Sequence, residues 1–208
     1  MLVKLGADLS VMFGTPVFVR KSFLDSAANV QLEEAIRRRM AEGHGVQVSN
    51  VGGWQSRPDL MAWQEPAIAR LGAELHQAVK QFLLFGRAAQ DKEPKLWLAA
   101  WANLNRPGDY NILHNHPGQD LAAVYYVKAA PPLAGAASGK LELRDPRPAA
   151  GYCSHPKLFS AEPLQITPEP GMLVMFPSWI DHMVHPHHGP DDRISIAINI
   201  KLLDLEEN

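Results

Sequence analysis

Histidines are concentrated in the second half of the sequence, where their spacing could form a metal site. Of nine histidines, five lie between His155 and His188, and two more, His114 and His116, are separated by one residue. Residues i and i+2 of a β-strand point to the same face, about 7 Å apart at ~3.3 Å per residue. Two imidazoles so placed can reach one ion through bonds of ~2.1 Å. The pair therefore predicts half of a metal site, and the alternative is two solvated loop histidines.

A third histidine follows an apolar strand. Residues 171–182 are mainly apolar, pass through Pro177 and end at His182. A neighbouring strand could bring this side chain to the first two, so we predict His182 as a third ligand. The later histidines His185, His187 and His188 lie in a segment bounded by proline and glycine, and we interpret them as solvated loop residues.

The last strand places an arginine on a polar face. Four isoleucines occupy one face of this strand: Ile194, Ile196, Ile198 and Ile200. The other face carries Arg193, Ser195, Ala197 and Asn199. On a surface sheet this second face would be solvated. If helices cover the isoleucines, however, the arginine points into a barrel, where its guanidinium needs an anion, and a substrate carboxylate matches its geometry.

The elements that position these residues are mainly short strands. Alternating or apolar runs predict strands over residues 96–104, 121–128, 140–144, 164–167, 172–176 and 193–201. Turns rich in proline and glycine separate them, without helical patterns between. This arrangement is typical of an antiparallel sandwich, jelly roll or barrel.

The first half of the chain has helical periodicity. Apolar residues at spacings of three and four predict helices over residues 26–40 and 66–85. Residues 11–19, interrupted by Gly14 and Pro16, predict a strand with a bend or an edge strand, and residues 49–56 are too rich in Gly, Asn and Ser for regular structure. We predict an α+β, mainly β protein forming one domain over residues 1–208. It would comprise a helical support region, residues 1–94, and a β core, residues 95–208.

Composition places no strong constraint on partners. The net charge of −2 gives no reason to expect nucleic acid or an anionic membrane. Apolar runs are shorter than the ~18 residues of a membrane span. The single cysteine, Cys153, cannot form an intrachain disulfide, and no basic and then apolar leader opens the chain. We therefore expect a cytoplasmic protein.

Several motifs together resemble one enzyme family. They are, in order, Ser49-Asn50-x-Gly52-Gly53-Trp54-Gln55-Ser56, Gly108-Asp109-Tyr110, His114-x-His116-Pro117-Gly118, Val124-Tyr125-Tyr126-Val127, Gly139-Lys140-Leu141-Glu142-Leu143, Phe176-Pro177-Ser178-Trp179, His182 and Arg193-x-Ser195. The sequence is similar to the bacterial and phage 2-oxoglutarate/Fe(II)-dependent oxygenases, which are related to prolyl hydroxylases. The resemblance covers nearly the whole chain and implies a double-stranded β-helix, the jelly-roll fold shared with cupins.

The resemblance also implies a reaction and a set of site residues. It implies a dioxygenase that uses Fe(II) and the cosubstrate 2-oxoglutarate, releases succinate and CO₂, and hydroxylates a C–H bond. His114 and His182 match the two histidine ligands. Arg193 and Ser195 match the pair that binds the distal carboxylate of 2-oxoglutarate, and Tyr126 resembles the tyrosine that hydrogen-bonds it. No catalytic residue beyond the metal ligands is implied.

The sequence departs from the family pattern at His116. The usual motif has a carboxylate there, completing a triad of two histidines and one carboxylate. A third imidazole leaves an Fe(II) site one charge more positive. The ligands are then His114, His116 and His182, unless Asp120 or Glu142 contributes a carboxylate instead.

Other assignments remain open from the sequence alone. Asn103 and Asn105 share a strand face with Trp101; we expect the asparagines to contact substrate or cosubstrate, and Trp101 to lie in the core. Alternative functions are a cupin-type dioxygenase with three histidines that does not use 2-oxoglutarate, and a metal-stabilised binding module without turnover. The expected partners are O₂ and a small-molecule or peptide substrate, with a possible homodimer. Residues 49–56 and 129–138 would determine the primary substrate, which the sequence does not name.

Overall fold

The computed structural model describes residues 2–4, 10–43, 45–85, 93–129, 137–152, 154–155 and 162–203. Cys153 and residues 130–136 of the 129–138 loop lie outside these ranges, so the expectations for them are not addressed by the structure.

Two helices form a layer on one side of the molecule. Helix α1 spans Ser26–Glu42, and the side chain of Asp25 caps it by accepting a hydrogen bond of 2.9 Å from the Ala28 N–H. Helix α2 spans Pro66–Phe85. Apolar residues of both helices, including Leu32 and Leu71, are fully buried. No helix among the described residues is long and apolar enough to cross a membrane.

The strands form two larger sheets and a small hairpin. Their bounds are β1 Leu2–Lys4, β2 Ser10–Met12, β3 Phe18–Arg20, β4 Asn50–Val51, β5 Trp54–Gln55, β6 Leu96–Asn105, β7 Tyr110–His114, β8 Leu121–Lys128, β9 Leu141–Leu143, β10 Leu164–Ile166, β11 Leu173–Pro177, β12 His182–Val184 and β13 Arg193–Leu202. One sheet has the order β3-β11-β8-β13-β6-β5, the other has the order β10-β9-β12-β7-β4, and β1 pairs with β2. All of these pairings are antiparallel.

The six-stranded sheet separates two apolar cores. Its outer face packs on the helices, and Ile194, Ile196, Ile198 and Ile200 of β13 are buried there. Its inner face meets the five-stranded sheet, where Tyr126 and Phe176 pack against Leu141 and Leu143. The predicted division of β13 into an isoleucine face and a polar inward face is therefore confirmed, as is the mainly β jelly roll with packing helices.

Several short strands differ from the sequence prediction, and residues 11–19 contain parts of two separate strands, β2 and β3, of which β3 lies at the edge of the six-stranded sheet. Residues 49–56, predicted to be irregular, contain β4 and β5, which pair with β7 and β6. Strand β12 was not predicted as an element of its own. Pairing with neighbouring strands stabilises these segments, which are only two or three residues long and too short to show a sequence pattern.

Candidate metal centre

Three histidines converge at one end of the space between the sheets. One ring nitrogen from each of His114, His116 and His182 lies within 4.8 Å of the others. The ring centroids are 4.3 Å apart for His114 and His182, 5.1 Å for His114 and His116, and 5.0 Å for His116 and His182. The predicted ligands are thus brought together at distances that a single transition metal ion can span.

Strand pairing and a loop position the three rings differently. His114 ends β7 and His182 begins β12, where the two residues are direct cross-strand neighbours. His116 lies beyond the strand, in a loop whose backbone is held by a 2.9 Å hydrogen bond from the His116 N–H to the Ser178 carbonyl. The expectation that strand alternation aligns His114 with His116 was therefore wrong; the loop returns His116 to the same side.

Backbone carbonyls fix the orientation of two rings. His114 Nδ1 lies 2.7 Å from the Ile112 carbonyl oxygen, and His182 Nδ1 lies 2.9 Å from the Ile180 carbonyl oxygen. A carbonyl only accepts, so Nδ1 carries the proton in both residues. The Nε2 lone pairs are left free, which is the arrangement that metal-binding histidines commonly show.

The three imidazoles are held in their neutral form. Burial, together with the adjacent His114 and His116 rings, lowers the pKa of His182 to about 3, although its bond to Ile180 opposes the shift. Burial and His114 lower the pKa of His116 to about 4, and burial lowers the pKa of His114. Neutral imidazole is the form that binds metal, so the cluster fits a divalent transition metal at neutral pH.

No carboxylate of the described residues joins the cluster. Glu142 lies beside β12 but alternates away from His182, and its carboxylate accepts a 2.8 Å hydrogen bond from His185 Nε2. Asp120 is exposed and accepts from the Leu202 N–H at 2.7 Å. Neither residue replaces His116, so the alternative of a carboxylate ligand from these positions is not supported.

The interpretation of the later histidines as solvated was wrong for two of them. His185 is partly buried against Glu142, as described above. His187 is only 2% exposed, and its Nε2 donates to the Asp191 carbonyl at 2.6 Å. Backbone hydrogen bonds connect the segment between β12 and β13 to residues 108–109 and 139–140. In this position both rings have polar partners outside the histidine cluster. His188 is exposed, as expected.

An arginine and a tyrosine occupy the other end of the space. Arg193 is 1% exposed; its Nε donates to the Gly139 carbonyl, and its Nη1 donates to Asn105 Oδ1 and Ser195 Oγ, each at 3.2 Å. Its Nη2 and the Tyr126 hydroxyl are buried, and neither makes a hydrogen bond of standard geometry in the described structure, although the two side chains lie close together. Burial raises the pKa of Tyr126, although the Arg193 charge opposes this, and burial lowers the pKa of Arg193.

A cavity connects the two ends. The cavity is open to solvent, and its volume including this opening is about 520 Å³. Its wall includes the three histidines, Asn103, Tyr126, Arg193 and Ser195. Asn103 is buried, and its Oδ1 has no partner among the described residues. Asn105 does not line the cavity; instead, its Oδ1 accepts a hydrogen bond from Arg193 Nη1. Trp101, expected in the core, is half-buried and lines the cavity, with its ring centroid 6.0 Å from that of His116.

One further polar residue of the wall, Asn111, was not found from the sequence, whereas its partner Ser49 lies in the 49–56 segment that was expected to determine the substrate. Asn111 of β7 is buried and donates to Ser49 Oγ at 3.3 Å, and both residues line the cavity. An irregularity in the pairing of β7 with β12 places Asn111 opposite Val184 while His114 stays opposite His182. Such a bulge has no signature in local composition, so only the folded structure shows that Asn111 faces inward.

A family comparison agrees with this geometry. Residues 99–199 match the model of a family described as "Putative 2OG-Fe(II) oxygenase". The match covers just under half of the 208 residues, and over this segment the chain is similar to the family. The matched segment runs from β6 to β13 and contains the histidine cluster and Arg193. This oxygenase therefore uses Fe(II) and 2-oxoglutarate as cofactor and cosubstrate and acts on a further substrate with O₂. No curated protein matches its sequence.

Solved structures with similar folds include other oxygenases. A prolyl-4-hydroxylase from Pseudomonas putida is 18% identical, with a TM-score of 0.65 and coverage of 90% of this chain and 92% of that one. A prolyl hydroxylase from Trichoplax adhaerens, in complex with a hypoxia-inducible factor peptide, is 15% identical over 89% and 83% of the chains, with a TM-score of 0.63. HygX from Streptomyces hygroscopicus, with nickel and 2-oxoglutarate bound, is 14% identical over 90% and 83%, with a TM-score of 0.60. At these identities the comparisons support the shared fold of the oxygenase.

Proposed function

We propose that His114, His116 and His182 hold Fe(II) in this oxygenase, and that Arg193, Ser195 and Tyr126 bind the distal carboxylate of 2-oxoglutarate. The observation that carries this assignment is the pair of unpartnered buried donors, Arg193 Nη2 and the Tyr126 hydroxyl, facing the same cavity as the histidines. A buried donor without a partner costs free energy, which an acceptor on a ligand would recover.

The charge at this end of the cavity favours an anion. Arg193 has no carboxylate partner among the described residues, and its contacts are all to neutral oxygens. A guanidinium keeps its proton in proteins, so it presents a full positive charge. A carboxylate would accept from Nη2 and from Tyr126, and it would neutralise the buried charge.

The protein's part in the reaction is to position and shield. When bound, Fe(II) with 2-oxoglutarate and O₂ supplies the oxidation of a substrate C–H bond, coupled to release of succinate and CO₂. His114 and His182 present Nε2 in a fixed direction because Nδ1 is held by backbone carbonyls. Phe176 packs edge-on against His182, with centroids 4.9 Å apart, and keeps water from that side of the ring.

The substrate is proposed to be a peptide or a small molecule that enters beside Trp101. Trp101, Ser49 and Asn111 line the cavity without belonging to the proposed Fe(II) or 2-oxoglutarate contacts. Support comes from related folds: the Trichoplax enzyme is in complex with a peptide, and another HygX structure has hygromycin B bound. We further propose one domain over residues 1–208, a cytoplasmic location and association as a homodimer.

Anaerobic titration tests the proposed site. Protein loaded with Fe(II) receives either 2-oxoglutarate or pyruvate, and the weak visible charge-transfer band of a chelated 2-oxo acid is followed. Pyruvate has the same chelating end but lacks the distal carboxylate, so 2-oxoglutarate should saturate the band at a much lower concentration. Equal affinities for the two acids would show that Arg193 does not bind the distal carboxylate. Tight iron binding without any band would favour the dioxygenase with three histidines or the binding module.

A further inference from the structure

The three histidines are not held equally. His114 and His182 each use Nδ1 to bond the carbonyl of the residue two positions earlier. The His116 ring has no such bond with any residue that the structure describes. Its ring neighbours are the two other imidazoles and Trp101, at centroid distances of 5.0 to 6.0 Å. Two rings are therefore anchored, and one is not.

The backbone around His116 also differs. His114 and His182 lie within paired strands, whereas His116 lies in the loop before Pro117 and Gly118. The loop is tied by backbone bonds from the His116 N–H to Ser178 and from the Gln119 N–H to the His116 carbonyl. Neither bond involves the ring, so His116 can rotate about its side-chain torsions without breaking a hydrogen bond.

We propose that His116 is an exchangeable ligand of the centre and that a small anion can take its position on the metal. This inference rests on the proposed function, because it assumes that the three histidines hold the metal. Hydrogen-bonded partners of metal-binding residues typically contribute 10- to 100-fold to metal affinity, and His116 lacks one. The site thus binds metal chiefly through His114 and His182.

Charge explains why the entering ligand would be an anion. The cluster contains no Asp or Glu of the described residues, and a histidine binds a metal ion as neutral imidazole. A bound divalent cation would keep its full charge, uncompensated by the protein ligands. A small anion that replaces a neutral imidazole lowers this charge, and the half-buried position of His116 on the cavity wall leaves room for it to enter.

Nuclear magnetic resonance of the protein with ¹⁵N-labelled histidine and bound Zn(II) tests the exchange directly. The Nδ1–H protons of His114 and His182 should be protected from solvent exchange, and both signals should persist in His116→Ala. Added azide should return the His116 ring to its metal-free chemical shifts while His114 and His182 stay bound. Azide that leaves all three rings on the metal, or a third equally protected Nδ1–H, would overturn the proposal.

Zn(II) affinities of three single variants separate this inference from the proposed function. His116→Ala should raise Kd about tenfold, and His114→Ala and His182→Ala should raise it at least about tenfold further. The exposed His155 provides a matched control, and His155→Ala should leave Kd unchanged. Equal losses in the three cluster variants would retain the metal centre and reject the exchangeable ligand. Failure of the wild type to bind Zn(II) would reject both.

Discussion

His182 of β12 is the direct cross-strand partner of His114 of β7, and their ring centroids lie 4.3 Å apart. The register of two antiparallel strands therefore sets the distance between these imidazoles. A hydrogen bond from Nδ1 sets the orientation of each ring. The acceptor for His114 is a carbonyl of its own strand, and the acceptor for His182 is a carbonyl of the turn before β12. The geometry of the pair is fixed before any metal binds, as expected for a preorganised site.

Replacing His182 should remove the metal and spare the fold. His182→Ala deletes one of two anchored ligands, and the apolar cores on both sides of the six-stranded sheet remain. We expect loss of specific Fe(II) binding in anaerobic titration, with an unchanged circular dichroism spectrum. The matched control is His185→Ala, whose ring points to Glu142 outside the cluster. Unchanged iron affinity in His182→Ala would place the metal elsewhere.

An aspartate at position 116 should retain the metal. His116→Asp supplies the carboxylate of the commoner triad and adds a negative charge beside a divalent cation. We expect Fe(II) affinity at least equal to that of wild type, whereas His116→Ala should bind about tenfold more weakly. Isothermal titration under anaerobic conditions measures both. Weaker binding by the aspartate than by the alanine variant would show that position 116 does not face the metal.

Periodicity made most of the architecture predictable. The alternation of isoleucines with Arg193 and Ser195 predicted both faces of β13 correctly, because the inner and outer faces of a covered sheet require different side chains. Helix α2 was predicted over its observed range, residues 66–85, from spacings of three and four.

The details that complete the site depend on tertiary contacts. His116 was expected to align with His114 through strand alternation, but β7 ends at His114, and a backbone bond to Ser178 returns the loop. The partner of His185 is Glu142, 43 residues away in sequence. Neither contact has a local sequence pattern. The strand pattern already predicted that Arg193 binds a carboxylate, whereas the roles of Ser195 and Tyr126 came from family resemblance; all three residues line one cavity.

Low pH should lower the stability of the fold, because it protonates the carboxylate of Glu142. Burial alone would raise the pKa of this carboxyl, but hydrogen bonds from His185 and Gln165 outweigh burial, and the net pKa is lowered from 4.5. A lowered folded-state pKa stabilises the protein above pH 4.5, and this stabilisation disappears as pH falls through the folded-state value. Glu142→Gln should therefore lower the free energy of unfolding by about 1 kcal/mol at pH 7, and with it the unfolding temperature. The difference in stability between this variant and the wild type should become smaller below pH 4.5.

Thermal denaturation from pH 3 to 8 measures this difference. Glu169→Gln is the control, because Glu169 pairs with Lys21 on the exposed surface and should contribute little. Fe(II) binding by Glu142→Gln should match that of wild type, since Glu142 faces away from the cavity. A constant stability deficit at all pH values would mean that the Glu142 charge is not what stabilises the fold.

Arg193 should control 2-oxoglutarate binding without affecting iron. Arg193→Leu keeps a side chain of similar bulk and removes the only charge at that end of the cavity among the described lining residues. Loss of a buried charge-assisted contact is worth about 2 to 5 kcal/mol, or roughly 30-fold to several thousandfold in Kd. Because a ligand stabilises the form that binds it, 2-oxoglutarate should raise Tm of the Fe(II)-loaded wild type and not of the variant. A wild type with neither this stabilisation nor succinate production would contradict the use of 2-oxoglutarate.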